Sequence, residues 1–263
     1  MKLHFEPKVI LLARPSIDWD GVDAFLAEYG EEATWRRGDK DTESDSLPEL
    51  AGRACYGSFG SRQGRIGAAD YLSHVIEAGH GSVLEHAQWT FAVCRASRGF
   101  THQMVRHRAG FAFSQESQHF IRYGAEGETG AQEAAVCVTG IPEALRSTVE
   151  DGCREAVRYY EDLWASLRAT FPGDAKVKKI VSGASRGLLP GAMESRLVFS
   201  ANARALRHVI ELRGNEDNTL EIRLVVVQLA RILKAEAPAI FADFEETAGA
   251  DGYPVMSCKW RKV

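Results

Sequence analysis

Two periods of hydrophobic positions run along this chain, and they divide it into short strands and helices. The apolar run Lys8–Ala13, bounded by Pro7 and Pro15, predicts a strand. Residues 18–29 predict a short helix, and the charged stretch 36–46, with its Gly and Ser, a loop. Residues 47–55 predict a helix carrying Pro48 in its first turn, where a missing N–H is harmless. Residues 68–78 predict another, stopped by Gly79. Trp, Thr, Phe and Val crowd residues 89–94, which predict a strand, and 100–108 predict a helix. Residues 109–130 form a long polar and aromatic connection, a length usually reserved for function or disorder. A long helix is predicted over 149–171, with Ala156, Tyr160, Leu163, Leu167 and Phe171 as its apolar stripe and Pro172-Gly173 as its stop. Residues 200–212 and 219–237 also read as helices, Pro238 closing the second. Strands and helices mixed first, then mainly helices, predict an α/β or α+β fold in one domain spanning 1–263.

Composition narrows the class. With 263 residues, 45% hydrophobic and 26% charged, the chain can bury a core, so general disorder is excluded. No stretch is apolar enough to span a membrane, and the first residues carry no secretion signal. The formal net charge of −4 argues against a general nucleic-acid binder. The 5 cysteines contain no CxxC pair, which removes the usual zinc ribbon and redox pair. Cys94 and Cys137 read as strand residues and Cys55 as a buried helix residue. Free thiols suit a reducing compartment, so a cytoplasmic location is expected.

Candidate chemistry concentrates in the middle. Six of the 8 histidines fall between His74 and His119. Glycines flank His80 in Gly79-His80-Gly81-Ser82, which lets backbone approach a ligand, and Ser82 offers a hydroxyl and a helix cap to an anion. A metal reading of His80, Glu85 and His86 fits no zinc spacing, so no metal is expected, and His86 reads as a satisfied core histidine. Arg106-His107-Arg108 sets three cationic or ionisable groups side by side, which repel unless an anion or carboxylate receives them. The loop after it supplies Gln115, Ser117 and Gln118, donors and acceptors able to read the edge of a heterocycle. Farther on come Arg186, Asn202, Arg204, His208 and Arg213, with Arg204 and His208 one helical turn apart. Such a helix expects anions on one side, with Arg207 open to a plain surface role.

Taken together, these segments resemble the flavin-dependent thymidylate synthase family over roughly residues 47–245. The resemblance rests on His80-x-Ser82-x-x-Glu85-His86, Gln103-x-x-Arg106-His107-Arg108, Arg186-x-x-Leu189-Pro190, and Asn202-x-Arg204 followed by His208, Arg213 and Glu221-Ile222-Arg223. It implies methylation of C5 of dUMP to give dTMP, with FAD as cofactor and NADPH and methylenetetrahydrofolate as co-substrates. It also implies a homotetramer with active sites at subunit interfaces, and a central sheet with helices that lacks the Rossmann motif. By position, His80, Ser82, Glu85, Arg106, His107, Arg108, Asn202, Arg204 and His208 are expected to hold the flavin. Gln103, Gln115, Ser117, Gln118, Arg186 and Arg213 are expected to face the nucleotide, Ser117 orienting it and Arg213 stabilising charge on a uracil oxygen.

The chain departs from the family pattern at one loop. Eight residues, not seven, separate Arg108 from Ser117, and His119-Phe120-Ile121-Arg122-Tyr123 stands where the family reads Arg-Tyr. Either His119 or Arg122 is therefore the phosphate partner. Two further readings stand beside the default. The altered loop admits a 2′-hydroxyl, making UMP the substrate in a nucleoside-antibiotic type of pathway, or the chain binds flavin and nucleotide without turnover.

Overall fold

The computed structural model describes residues 1–124, 130–171 and 175–263. In chain order the strands and helices are β1 (Lys2–His4), β2 (Lys8–Ala13), α1 (Trp19–Ala27), α2 (Glu43–Tyr56), α3 (Ala68–Glu77), β3 (Gln88–Cys94), α4 (Arg98–Met104), β4 (Phe111–Gln115), β5 (Tyr123–Gly124), β6 (Gln132–Glu133), β7 (Ala135–Cys137), α5 (Glu143–Thr170), α6 (Ala175–Ser185), β8 (Leu197–Asn202), α7 (Ala203–Arg213), α8 (Leu220–Glu236), β9 (Phe244–Ala248) and β10 (Pro254–Cys258). Four strands pair in the order β2-β3-β8-β4. The expected mixed α/β class is the one observed, and among the described residues no helix is long and apolar enough to cross a membrane.

Two compact units divide the chain, each assembled from separated segments. One comprises Met1–Lys8, Ala92–Arg106 and Phe113–Val198. Its core gathers Tyr123, Val136, Val157, Tyr160 and Met193, with Met1, Leu3 and Trp164 packed against it. Here β1 pairs with β7 in parallel, Leu3 facing Val136. The buried stripe of α5 is Cys153, Val157 and Tyr160, which shares Tyr160 with the expected set: Ala156, Leu163 and Leu167 are half-buried and Phe171 is exposed. That helix also starts earlier than expected, at Glu143 behind Pro142. Its expected stop at Pro172-Gly173 lies outside the described residues.

The other unit comprises Val9–Phe91, His107–Ala112 and Phe199–Val263. Alternate residues of β3 turn inward, burying Trp89 and Phe91, while Thr90 and Ser200 share a hydroxyl hydrogen bond of 2.8 Å. Helix α8 is buried along Ile222, Val225, Val226, Leu229 and Leu233.

Several boundaries shift for identifiable reasons. Thr42 caps α2 by accepting from the Asp45 amide at 3.1 Å, so the helix begins at Glu43 and Pro48 sits inside it rather than in its first turn. Cys55 lies on that helix but is exposed, not buried. Ser97 caps α4, which runs Arg98–Met104 and ends before the Arg-His-Arg triplet. Within the expected long connection lie β4 and β5, and residues 125–129 lie outside the described ones. Strand β8 precedes α7, because Leu197, Phe199 and Ala201 are buried with a period of two before Asn202 starts the helix. The β9–β10 hairpin closes the chain, where mainly helices were expected.

Candidate functional site

The start of α7 organises the Arg-His-Arg end of the site. Asn202 caps this helix, its Oδ1 accepting from the Ala205 amide at 2.9 Å. Gly110 rests on that cap with φ +73°, and a Cβ there would stand 2.7 Å from Asn202 Nδ2 and 2.8 Å from Ala205 Cβ. The Gly110 carbonyl accepts from the Asn202 amide at 3.1 Å. Glycine at this point therefore seats the turn after His107 on the helix that carries Arg204, His208 and Arg213.

His107 and Arg213 meet directly. Arg213 Nε donates to His107 Nε2 at 3.3 Å, and Arg213 Nη1 donates to Asn218 Oδ1 at 3.2 Å. The His208 ring stands 6.3 Å from the His107 ring, edge to face. Burial, then the Arg213 charge and His208, push the His107 imidazole down from 6.5 to about 4. The expected repulsion within the triplet is thus relieved without an anion: Arg106 and Arg108 are exposed to water, and His107 turns inward as a neutral acceptor. Because its folded value lies below its ordinary one, this stabilisation is full above pH 6.5 and is lost as the pH falls toward 4. His107→Gln keeps an acceptor for Arg213 and removes the titration. Urea unfolding of both proteins at pH 7 and pH 4.5 is expected to show the natural protein losing about 1–2 kcal/mol more than the variant, a figure reduced for the half-buried position. Parallel losses would refute the neutral His107.

On the same helix Arg204 Nη1 reaches Glu85 Oε1 at 2.7 Å, an exposed pair, and Arg204 Nε donates to the Val263 carbonyl at 3.4 Å. Gly81 makes its close approach to these groups: a Cβ there would stand 2.5 Å from the Val263 carbonyl carbon and 3.0 Å from Arg204 Nε. The glycine expected to admit a ligand admits the chain's own C-terminal residue. Ser82 is no helix cap, since the 3-10 turn Gly81–His86 starts behind His80 without a side-chain cap bond. His80, Ser82 and His208 are exposed, as is His86, which is not a core histidine. Arg207, open to a surface role from sequence, is instead buried and paired with Asp243 at 2.7 Å. Arg223 is buried too and pairs with Asp251.

The residues expected to face the nucleotide fall mostly in the first unit. Gln103 lies on α4, half-buried, and its carbonyl accepts from the Arg106 amide at 3.2 Å. Gln115 Nε2 donates to Thr101 Oγ1 at 2.7 Å and Ser195 Oγ at 3.0 Å, so its amide nitrogen braces β4. A tight turn carries Ser117, Gln118 and His119, with the Ser117 carbonyl accepting from the Phe120 and Ile121 amides. His119 lies against Gly183 of α6, and its Nδ1 is buried without a hydrogen-bond partner. Arg122 stacks on Trp164 at 4.0 Å, and Arg186 opens the 3-10 turn Arg186–Leu188.

Sequence reasoning missed Asn218, which steadies Arg213; the one signal was a polar side chain five residues past it. Outward guanidinium and imidazole groups at Arg108, Arg204, His80 and His208 suit an anionic, ring-bearing cofactor, so the flavin expected from the resemblance fits this donor set. Among the described residues no group of three or more His, Cys, Asp or Glu side chains is placed to hold a metal ion.

The family described as thymidylate synthase complementing protein matches residues 39–239. The flavin-dependent thymidylate synthase of Mycobacterium tuberculosis is 40% identical over 218 residues, 81% of this chain and 84% of that one. That of Mycobacterium marinum is 39% identical over 219 residues, again 81% and 84%. Among solved structures, the UMP/dUMP methylase PolB from Streptomyces cacaoi bound with 5-Br dUMP shares the fold with a TM-score of 0.63 at 17% identity, over 92% of this chain and 96% of that one. The chain therefore belongs to the flavin-dependent thymidylate synthase family and is an enzyme of that methyltransferase type.

Proposed function

We propose that this enzyme carries out reductive C5 methylation of a uridine 5′-monophosphate, dUMP to dTMP by default, with methylenetetrahydrofolate as carbon donor. Bound FAD, reduced by NADPH, would supply the hydride. The observation that carries this reading is Arg213. Among the described residues no carboxylate pairs with it, yet a neutral histidine and an asparagine hold it in place. An uncompensated, steadied guanidinium is the group needed where negative charge develops on a uracil carbonyl oxygen during attack from C5.

The remaining residues bind and orient. Arg108, Arg204, His80, Ser82 and His208 present donors to the flavin, and Glu85 steadies Arg204 through their pair. Asn202 fixes the start of α7, so the spacing of Arg204, His208 and Arg213 is set by the helix. Gln103, Gln115, Ser117, Gln118 and Arg186 face the nucleotide. Either His119, whose buried Nδ1 lacks a hydrogen-bond partner, or Arg122, stacked on Trp164, meets the nucleotide phosphate. In keeping with the family, the working form is a homotetramer, and five free cysteines suit a reducing cytoplasm.

A second reading, methylation of UMP, rests on the loop with one extra residue between Arg108 and Ser117. Purified protein is expected to carry flavin and to convert dUMP when supplied with NADPH and methylenetetrahydrofolate. A parallel assay with UMP decides the substrate: product from UMP makes the loop after Arg108 the element that admits the 2′-hydroxyl. Flavin-bearing protein that methylates neither nucleotide refutes the reading.

A further inference from the structure

A second concave site lies in the unit built from Val9–Phe91, His107–Ala112 and Phe199–Val263, and its walls include none of the residues assigned to the nucleotide. It is a cavity of about 410 Å³ between one face of α2, one face of α3 and the loop joining them. Its walls offer Arg62, Arg65, His74 and His80 together with the rings of Tyr56 and Tyr71. The wall includes no carboxylate, although the chain as a whole carries a formal charge of −4.

The floor is rigid. Arg53 is buried and its guanidinium is fully committed: Nε donates to Glu49 at 2.7 Å, Nη2 to the Arg65 carbonyl at 2.8 Å and Nη1 to the Ser58 carbonyl at 3.5 Å. It also lies 4.7 Å from the centre of the Tyr71 ring. These bonds hold the loop that presents Arg62 and Arg65, so the cavity does not depend on a ligand for its shape. The presented cations are lightly engaged. Arg65 has a loose pair with Asp70 at 3.7 Å, and among the described residues no carboxylate pairs with Arg62. Beside them Tyr56 is 71% exposed, a large aromatic face left to water.

Lightly engaged guanidinium forks recognise carboxylates and phosphates, and an open tyrosine face stacks a planar ring. We propose that this cavity binds the anionic, ring-bearing end of a co-substrate: the glutamate-bearing tail of the folate or the phosphorylated adenosine of the nicotinamide dinucleotide. The inference rests on the reaction proposed above, because that reaction brings two such ligands besides the nucleotide and the flavin. His80 lies at the cavity wall and in the set expected to hold the flavin, so a ligand anchored here extends toward the redox centre.

The test uses the flavin-loaded enzyme and ligands that do not turn over. Tetrahydrofolate with one and with three glutamates, NADP+ and dUMP are titrated by calorimetry into the natural protein, Arg62→Ala/Arg65→Ala and Tyr56→Ala. The double variant is expected to weaken one co-substrate about tenfold or more, with dUMP affinity and flavin content unchanged. Loss of a preference for three glutamates identifies the carboxylate tail, and weakened NADP+ identifies the phosphorylated adenosine. Tyr56→Ala is expected to weaken the same ligand. Unaltered binding of both co-substrates overturns the proposal, and so does loss of flavin from the double variant, which would assign the cavity to the cofactor. Natural protein that methylates a uridylate while the variant binds both co-substrates normally refutes the cavity and leaves the reaction standing. Natural protein that methylates neither nucleotide, with co-substrate binding still weakened in the variant, refutes the reaction and leaves the cavity.

Discussion

Arg213→Ala is expected to lower uridylate methylation by about 10²–10³-fold, the range seen when one donor to a developing oxyanion is removed. The fold should survive, because Arg213 is half-buried at the end of α7 and its side-chain partners are His107 and Asn218, neither of them charged. Its loss leaves no buried carboxylate unpaired, so the variant should melt close to the natural protein. The two partners predict a graded series. Asn218→Ala leaves the guanidinium attached to His107 alone and should lower kcat more than it raises KM, because it loosens a group whose work is done in the transition state. Arg213→Lys keeps the charge but loses the fork that holds both partners at once, and should fall between the natural protein and the alanine variant. The check is kcat and KM for dUMP, read with flavin content and melting temperature. Normal turnover in Arg213→Ala sinks the assignment.

The parts of this molecule legible in its sequence are those where period and cap agree. β2 has the expected bounds, Lys8–Ala13, because prolines flank an apolar run, and α3 ends at the expected glycine. α8 is buried along a helical stripe between Thr219 and Pro238 and was equally plain. The failures share a cause: burial depends on partners that local sequence does not name. Ser200 and Ala201 read as helix because they open a helical stretch, yet they belong to the end of β8, where Ala201 turns inward in step with Leu197 and Phe199. The stripe of α5 was placed on Ala156, Tyr160, Leu163, Leu167 and Phe171, whereas tertiary packing keeps Tyr160 and buries Cys153 and Val157 beside it. In the site, motif spacing found Arg204 and Glu85, and the structure pairs them. It did not show that His107 is turned inward and neutral, since that follows from burial beside Arg213. Nor did it show that Gly81 is filled by Val263, 182 positions along the chain.

Arg207 shows the same limit and carries the largest expected effect on stability. From sequence it was one more cation on a basic helix, three residues past Arg204. In the structure Arg204 is exposed and Arg207 is 3% exposed. Arg207 Nη1 donates to the Ile240 carbonyl at 2.5 Å and to Asp243 Oδ1 at 2.7 Å, and Nη2 donates to Asp243 Oδ2 at 3.0 Å and the Trp260 carbonyl at 3.2 Å. Truncation therefore strands a mostly buried carboxylate and two carbonyls. What remains for the Asp243 side chain is the Trp260 amide at 3.1 Å. Arg207→Ala is expected to cost about 3–5 kcal/mol, a large share of the stability of an ordinary domain. Arg204→Ala, removing an exposed pair on the same helix, should cost less than about 1 kcal/mol. The double variant Arg207→Ala/Asp243→Ala should be more stable than the sum of its single changes, because removing both partners leaves no uncompensated charge. Urea unfolding of the three proteins and of Asp243→Ala alone checks this. A small, additive effect at Arg207 would mean that water replaces the guanidinium and that the tie between α7 and the chain around Ile240 and Trp260 is not what holds this part of the fold. The contrast between the two arginines also separates fold from site, since Arg204→Ala should alter flavin retention while leaving the melting transition nearly in place.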